Sequence, residues 1–394
     1  MSFKLPEHGF VFWPIGTGDS TTICIDKDTV IQVDIHNLEI ANDDDDPRTP
    51  IVDRLVDLLP KKNGKPYLAL FVLTHPDKDH CLGFKDLMKK VTIGEVWFSP
   101  RVFRENNSDL CDDATEFRKE AKRRVKKVID STGSVSVGDR VRIIGYSDLL
   151  EEDDYKSFPD EKLNRPGDVV TEVDGKCRKD KFSAFIHAPF KDDSNSRERN
   201  ETSIAFQAEL VSGSHTGQAL LLGDLSYPSV RRVFDESDRH KNSNRLHWDV
   251  FLCPHHCSKS VMYWKDEGEE EAKLKQDILD DIEKAGESVG YIIASSSEIP
   301  SSNKSGDNPP HAKAKRRYEE IAPSGFLCTG EHVDKDNPEP IVFELTDSGF
   351  AYSEPKKEES KKSKKSDQSA LSKAVIAGRG RPTPPTERVG FGSK

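Results

Sequence analysis

Short apolar runs rich in β-branched and aromatic residues recur along the chain with turn residues between them, the pattern of buried strands. They fall at 10–13, 21–25, 30–33, 68–73, 95–98, 141–144, 203–209, 219–222, 250–252, 291–294 and 341–345. Segments with the character of helices separate them, at 50–59, 84–90, 113–130, 229–237, 267–285 and 312–321. Strands interspersed with helices in both halves predict an α/β protein with two sheets covered by helices. Residues 42–46 (NDDDD), 149–180 and 191–200 (KDDSNSRERN) are polar and read as surface turns or insertions. After Tyr352 the sequence changes to KKEESKKSKK and then AGRGRPTPPTERVGFGSK. Too few apolar side chains remain there to offset the entropy of ordering. The expected organisation is one domain over 1–355, with polar insertions within 149–200, and a disordered basic tail over 356–394.

Composition divides the chain in the same place. The 394 residues are 34% apolar and 33% charged, with a formal net charge of −11. The tail holds eight Lys and three Arg against four acidic residues, or +7, and removing it from −11 leaves −18 for the body. An acidic body is not the profile of a protein that coats nucleic acid over its whole surface, although it leaves room for local basic sites. No run approaches the roughly 18 apolar residues of a membrane-spanning helix. The N-terminal residues lack the basic and apolar segments of a secretory signal. Seven cysteines, an odd number without disulfide-scaffold spacing, fit a reducing cytoplasm.

The densest chemistry lies in LFVLTHPDKDHCLGF, residues 70–84, where a predicted strand ends at Thr74 and His75, Asp77, Asp79 and His80 follow at once. A strand end leading into a tight turn can converge imidazoles and carboxylates on one point, as a metal centre requires. Five further motifs accompany it: Gly16-Thr17-Gly18-Asp19-Ser20, Val33-Asp34, Leu222-Gly223-Asp224, His255-His256-Cys257-Ser258 and Asn308-Pro309-Pro310-His311. With these six motifs in this order, the sequence resembles the metallo-β-lactamase fold. Within it, the sequence is similar to the branch containing the soluble hydrolase domain of the competence protein ComEC, over residues 9–352. The resemblance implies an αββα sandwich.

It also implies a centre for two divalent metal ions, Zn²⁺ or Mn²⁺ with Mg²⁺ as a further option. Carried over position by position, Asp79, His80 and His256 hold one ion, Asp224 bridges both, and His75 binds the other. Asp77 stands where the broader superfamily has a second His, and a carboxylate in that place hardens the site towards Mn²⁺ or Mg²⁺. The superfamily's middle His has no counterpart. His187 and His215 lie in that interval without a ligand context, and 200–203 falls where the ComEC branch has Asn and Ser. A mononuclear centre therefore stays open as the alternative. Asp19 and Asp34 are expected to organise the site through hydrogen bonds rather than to bind metal, and His36 to stand at its rim. The catalytic candidates are Asp79, His255 and His311. His255 would stabilise charge on a phosphate oxygen or protonate a leaving group, and His311 opens a helix whose N-terminus favours an anion.

Lys313, Lys315 and Arg316 follow His311 and are expected to guide an anionic substrate. A second basic face, Lys119, Lys122, Arg123 and Lys126 at helical spacing, is either a track for a phosphate backbone or a solvated surface. The function implied is a soluble, cytoplasmic, metal-dependent phosphodiesterase or nuclease that uses a metal-activated hydroxide on nucleic acid or another phosphodiester, with no membrane partner. One alternative is a hydrolase of the same fold acting on a small ester, cyclic nucleotide, lactone or thioester. Another is a non-catalytic scaffold working through its tail, where 378–394 (GRGRPTPPTERVGFGSK) is the candidate segment for a protein partner on a flexible tether.

Overall fold

Alternation along the strands sorts the apolar side chains onto two faces. In β1 (Gly9–Phe12), Phe10 and Phe12 point to one side and Val11 to the other, and all three are buried. A strand buried on both faces reads as a continuous apolar run, and that is why the short runs were legible in the sequence. The computed structural model describes residues 3–355 apart from 44, 192, 194–197 and 304–307, and only the backbone of Asn107.

The first sheet continues with β2 (Thr21–Asp26), β3 (Thr29–Val33), β4 (Lys65–Leu73), β5 (Thr92–Phe98) and β6 (Arg140–Ile144). The second holds β7 (Phe182–Ala188), β8 (Ala205–Ser212), β9 (His215–Leu221), β10 (Trp248–Leu252), β11 (Gly286–Ala294) and β12 (Gly325–Cys328). The chain then returns through β13 (Ile341–Thr346) and β14 (Gly349–Tyr352) to the free side of β1. Main strand orders are β14-β13-β1-β2-β3-β4-β5-β6 and β12-β11-β10-β9-β8-β7.

Three packed layers of side chains follow from this. Phe10, Phe12, Ile31 and Val72 of the first sheet meet Phe182, Ile186, Phe206 and Leu221 of the second between the sheets. Helices α1 (Ile51–Leu58), α2 (Phe84–Lys90) and α3 (Asp112–Asp130) cover the outer face of the first sheet through Leu55, Phe84, Phe117 and Val125. Helices α4 (Tyr227–Arg239), α5 (Gln276–Ala285) and α6 (Ala312–Ile321) cover the second through Val233, Ile282 and Tyr318. The order helix, sheet, sheet, helix is the αββα sandwich that the sequence leads one to expect.

Both sheets change character at one point. Pairing is antiparallel from β14 to β3 and parallel from β3 to β6. In the second sheet it is antiparallel from β7 to β9 and parallel from β9 to β12. Ligand sites of open α/β sheets lie beyond the carboxyl ends of strands at such switch points. Asp34 follows β3, His75 follows β4, Asp224 follows β9 and His255 follows β10, so these motifs emerge where both switches occur.

Some elements differ from expectation. The strands β7, β12 and β14 were not expected: β7 (FSAFIHA) is interrupted by Ser and His, and the other two are only four residues long. The helix expected over 267–285 begins at Gln276, because the acidic stretch before it has no apolar spacing and burial starts at Ile278. Residues Met1–Ser353 form one compact unit. The segment 356–394, including 378–394, lies outside the described residues, as does part of each of 42–46 and 191–200. Among the described residues no helix is long and apolar enough to cross a membrane.

His187 in β7 gives a test of the packing between β7 and α4. Its Nε2 donates to the Arg245 carbonyl at 2.9 Å, and Ser237 Oγ is 3.4 Å from its Nδ1. Complete burial pushes its pKa down to about 4. The unfolded chain therefore takes up this proton first, near pH 6.5. The stability His187 contributes is complete above that pH and falls as pH drops towards 4, by at most about 3 kcal/mol. Urea denaturation of wild type and His187→Gln should diverge across that window, with the flatter pH profile in the variant. Identical profiles would contradict this.

Candidate metal centre

The Asp224 carboxylate is the hub of the site. It is 2% exposed, in the turn that follows β9, and Nε2 of four histidines surrounds it. His80 Nε2 is 3.1 Å from Oδ1, and from Oδ2 the Nε2 atoms of His256, His255 and His75 are 3.5, 3.7 and 3.8 Å away. Asp79 joins through His256 Nε2, 3.3 Å from its Oδ2.

Two of the imidazoles are braced from behind by carboxylates. Asp34 accepts three hydrogen bonds, from Thr74 N at 2.8 Å, Thr74 Oγ1 at 2.6 Å and His80 Nδ1 at 2.7 Å. This fixes the His80 ring with Nε2 turned towards Asp224. Asp19 Oδ1 lies 3.3 Å from His256 Nδ1 on the corresponding side of that ring, close enough for an ion pair but outside hydrogen-bond geometry. The Asp19 amide is itself tied to the Asp79 carbonyl at 3.1 Å. Carboxylates behind metal-binding histidines orient the ring and raise its basicity.

The backbone is bent to deliver these groups. Asp34, His255, His256 and Cys257 have φ of 54°, 50°, 53° and 65°. Left-handed conformations cost non-glycine residues about 1–3 kcal/mol each and cluster at functional sites. Gly18 is needed for the same close packing, since a Cβ there would stand 2.3 Å from His36 Nδ1 and 2.8 Å from the Asp79 carbonyl.

These groups fit a divalent cation. Asp19, His80, Asp224 and His256 each offer a donor atom, all within 4.8 Å of one another, and among the described residues this is the one such group. Ligands at about 2.1 Å in tetrahedral array stand about 3.4 Å apart. The contacts of 3.1, 3.3 and 3.5 Å made by His80, Asp79 and Asp224 with their partners match that spacing. His75 Nε2, His80 Nε2, His256 Nε2 and Asp224 Oδ1 are buried without a partner in hydrogen-bond geometry. Buried polar atoms are rarely left so, and an ion is one reason.

The electrostatics agree. Burial works against charge on His80, but Asp224 and Asp34 outweigh it and raise the imidazole well above its usual range. Asp224 and Asp19 do the same to His256. Burial disfavours the Asp224 carboxylate, yet His80 and His256 hold it well below its usual range. Burial also opposes charge on Asp79, and His256 and His80 again lower it. Burial and the neighbouring His80 push His75 well below 6.5, keeping it a neutral donor. A field that draws protons onto buried imidazoles draws a cation equally well.

The sequence-derived candidates thus divide. His75, Asp79, His80, Asp224, His255 and His256 converge. Asp77 reaches the edge of the cluster, with Oδ2 3.6 Å from His75 Nε2, but Arg199 Nε holds its Oδ1 at 2.7 Å. His311 packs behind the histidine turn: its amide donates to the Cys257 carbonyl at 3.1 Å, and its Nδ1 accepts from Lys259 N at 3.2 Å. His187 is buried in β7, and Ser203 Oγ lies 3.2 Å from His75 Nδ1 in the interval where the superfamily has its middle His.

The basic residues are more committed than their sequence suggests. Lys315 pairs with Glu331 at 3.2 Å, Lys313 Nζ lies 5.4 Å from the Tyr263 ring centre, and Arg316 borders a cavity shared with Glu298, Glu319 and Glu331. On α3, Lys119 pairs with Glu116, and Arg123 with Glu120 and Asp139. That pairing favours the solvated reading of the α3 face. Asp19 stands behind His256, a supporting place of the kind expected for it, and also lies within reach of the cluster. Arg199 lies in a polar stretch of the sequence that carries no signal of its own.

Replacing Asp34 with Asn keeps its size but sets an amide against the His80 ring. Isothermal titration with Mn²⁺ or Zn²⁺ should give about 10- to 100-fold weaker binding for Asp34→Asn, with an unchanged far-UV circular dichroism spectrum. Equal affinity would remove Asp34 from its bracing role.

No family model and no curated protein matches the chain. Solved structures similar to it include a B3 metallo-β-lactamase with an active-site glutamic acid, at 12% identity over 72% of this chain and 85% of the other, TM-score 0.34. Unliganded yeast PDE1 is 11% identical over 83% of this chain and 98% of its own, TM-score 0.42. A diphosphatase from the PhnP family is 12% identical over 79% and 81%, TM-score 0.32. Likenesses of this size carry no argument of their own, and it is the layers and topology of the chain itself that state an αββα sandwich.

Proposed function

We propose that this chain is a metal-dependent hydrolase of phosphodiesters, nucleic acid among them. The observation that carries the reading is the convergence of four imidazole Nε2 atoms on the buried Asp224 carboxylate, two of them braced by further carboxylates. His80, His256, Asp224 and Asp79 would hold a divalent cation, with Asp19 within reach. Such an ion, when bound, polarises a phosphoryl oxygen and lowers the pKa of water.

The chain's own groups do the rest. His255 is the most exposed of the four histidines, with 27% of its side chain open, and its neighbours leave it free to face a substrate. It is placed to donate a proton to a leaving oxygen or to stabilise a phosphate oxygen. Lys259 N donates to His311 Nδ1, which fixes the neutral ring with its proton on Nε2. His311 also occupies the N-cap position of α6, where it supports the histidine turn from behind. An apolar ester or lactone would instead ask for an apolar pocket at the cluster. The apolar-lined cavity of about 380 Å³ is bounded by Phe185, Ile186, Phe190 and Val233, and no residue of the cluster lines it.

The test is a hydrolysis panel on bis-p-nitrophenyl phosphate, single- and double-stranded DNA and RNA with Mn²⁺, Mg²⁺ or Zn²⁺. Wild type is expected to cleave at least one phosphodiester, with activity lost in Asp224→Ala and Asp79→Ala. His255→Ala should lower kcat by about 10²- to 10⁴-fold. No cleavage with any metal overturns the reading, and full activity in Asp79→Ala overturns the assignment of its ligands.

A further inference from the structure

The two halves of the centre are not equivalent. Around His80 and His256, the donor atoms lie 3.1 to 3.5 Å apart, with four residues in mutual reach. Around His75 the contacts are longer, 3.6 Å to Asp77 and 3.8 Å to Asp224, and Asp224 is already shared with the first half. Ser203 adds no donor on the Nε2 side. Its Oγ lies at the opposite ring nitrogen of His75 and donates to the Asn200 carbonyl at 2.7 Å.

A cation already faces Asp77. Arg199 Nε contacts Asp77 Oδ1 at 2.7 Å, while its Nη1 donates to the Asp109 carbonyl at 2.7 Å. A hydrogen bond to Asp109 and an ion pair to Asp77, the latter outside hydrogen-bond geometry, hold the guanidinium in place, and its charge is permanent. A second divalent ion on Asp77 would have to compete with it for the same carboxylate. Among the described residues its other donors would be His75, a share of Asp224 and His255, whose Nε2 stands 3.7 Å from Asp224 Oδ2.

We infer that the centre takes one divalent ion, at His80, Asp224 and His256 with Asp79 or Asp19, and that Arg199, paired with Asp77, stands in place of a second ion as a fixed cationic group of the chain. The inference rests on the metal-dependent reading above and sharpens it. Arg199 is 29% exposed in its side chain, and a guanidinium has five N–H donors. Those not used on Asp77 and Asp109 are available to an anionic oxygen of the substrate. The substrate class that suits one metal ion beside one fixed guanidinium is a phosphodiester, whose two non-bridging oxygens give each cationic group one partner without a second ion.

The test counts ions directly. The full chain is dialysed to equilibrium with Mn²⁺, and in parallel with Zn²⁺, and bound metal per chain is measured by plasma mass spectrometry and titration calorimetry. Wild type is expected to bind one ion. Asp77→Asn should still bind one, since Asp77 serves Arg199 and not the metal. Arg199→Ala should gain a second ion, with at least tenfold tighter second-site binding than wild type, and Arg199→Lys should stay at one. Two ions in wild type with one lost in Asp77→Asn overturns the inference, and so does a folded Arg199→Ala that still binds one. Asp77→Asn decides the matter if Arg199→Ala does not fold. Phosphodiester hydrolysis by the same preparations separates the two claims. Two ions with cleavage defeats the inference alone, and one ion without cleavage defeats the functional reading alone.

Discussion

A carboxylate buried to 2% exposure, with four imidazole nitrogens within 3.8 Å, is the constraint around which the rest of the chain is arranged. Asp224 can occupy that place because β9 ends there, at the change from antiparallel to parallel pairing. The first sheet makes the same change beside it, after β3, and brings Asp34 and the 75–80 turn to the same end of the sandwich. A hydrogen bond from Ile204 N to the Thr74 carbonyl, 3.0 Å, ties the sheets together at this point. Apolar packing between the sheets thus sets the distance between the His and Asp side chains that the two sheets contribute separately.

That packing also sustains the strain. Three consecutive residues, His255, His256 and Cys257, take left-handed backbone conformations. Such a turn persists only where its surroundings over-determine it. Cys253 and Cys257 are buried against Tyr318 and Phe251 in the layer between the second sheet and its helices, and the His311 amide closes the turn on its other side. The histidines are presented by the core rather than by a loose loop, so their positions are set before any substrate arrives. This is the preorganisation from which electrostatic catalysis draws its effect.

Much of this was legible in the sequence, for specific reasons. Strands buried on both faces, such as 68–73, announce themselves as unbroken apolar runs. The motifs lie at strand ends, so the sequence alone leads one to expect His75, Asp79, His80, Asp224 and His256 near one another with Asp34 in support. What was illegible depends on partners distant in sequence. A supporting part for Asp19 is readable in its motif, but nothing in five residues tells that its carboxylate will meet His256. Arg199 sits in KDDSNSRERN, where only the fold reveals that it lies against Asp77, 122 positions earlier. The cations of α3 and α6 read as free in one dimension, and Glu116, Glu120, Asp139 and Glu331 claim several of them in three. Legibility ended where function passes from the identity of a residue to the company it keeps.

The central claim is that the imidazole and carboxylate atoms around Asp224 are metal ligands. Anomalous diffraction from crystals grown with Mn²⁺ or Zn²⁺ tests it most directly. The account expects a peak about 2.0–2.3 Å from Nε2 of His80, Nε2 of His256 and a carboxylate oxygen of Asp224, with His80 Nδ1 still bonded to Asp34. Well-ordered crystals with no peak at that position, or with the metal bound elsewhere, would contradict it.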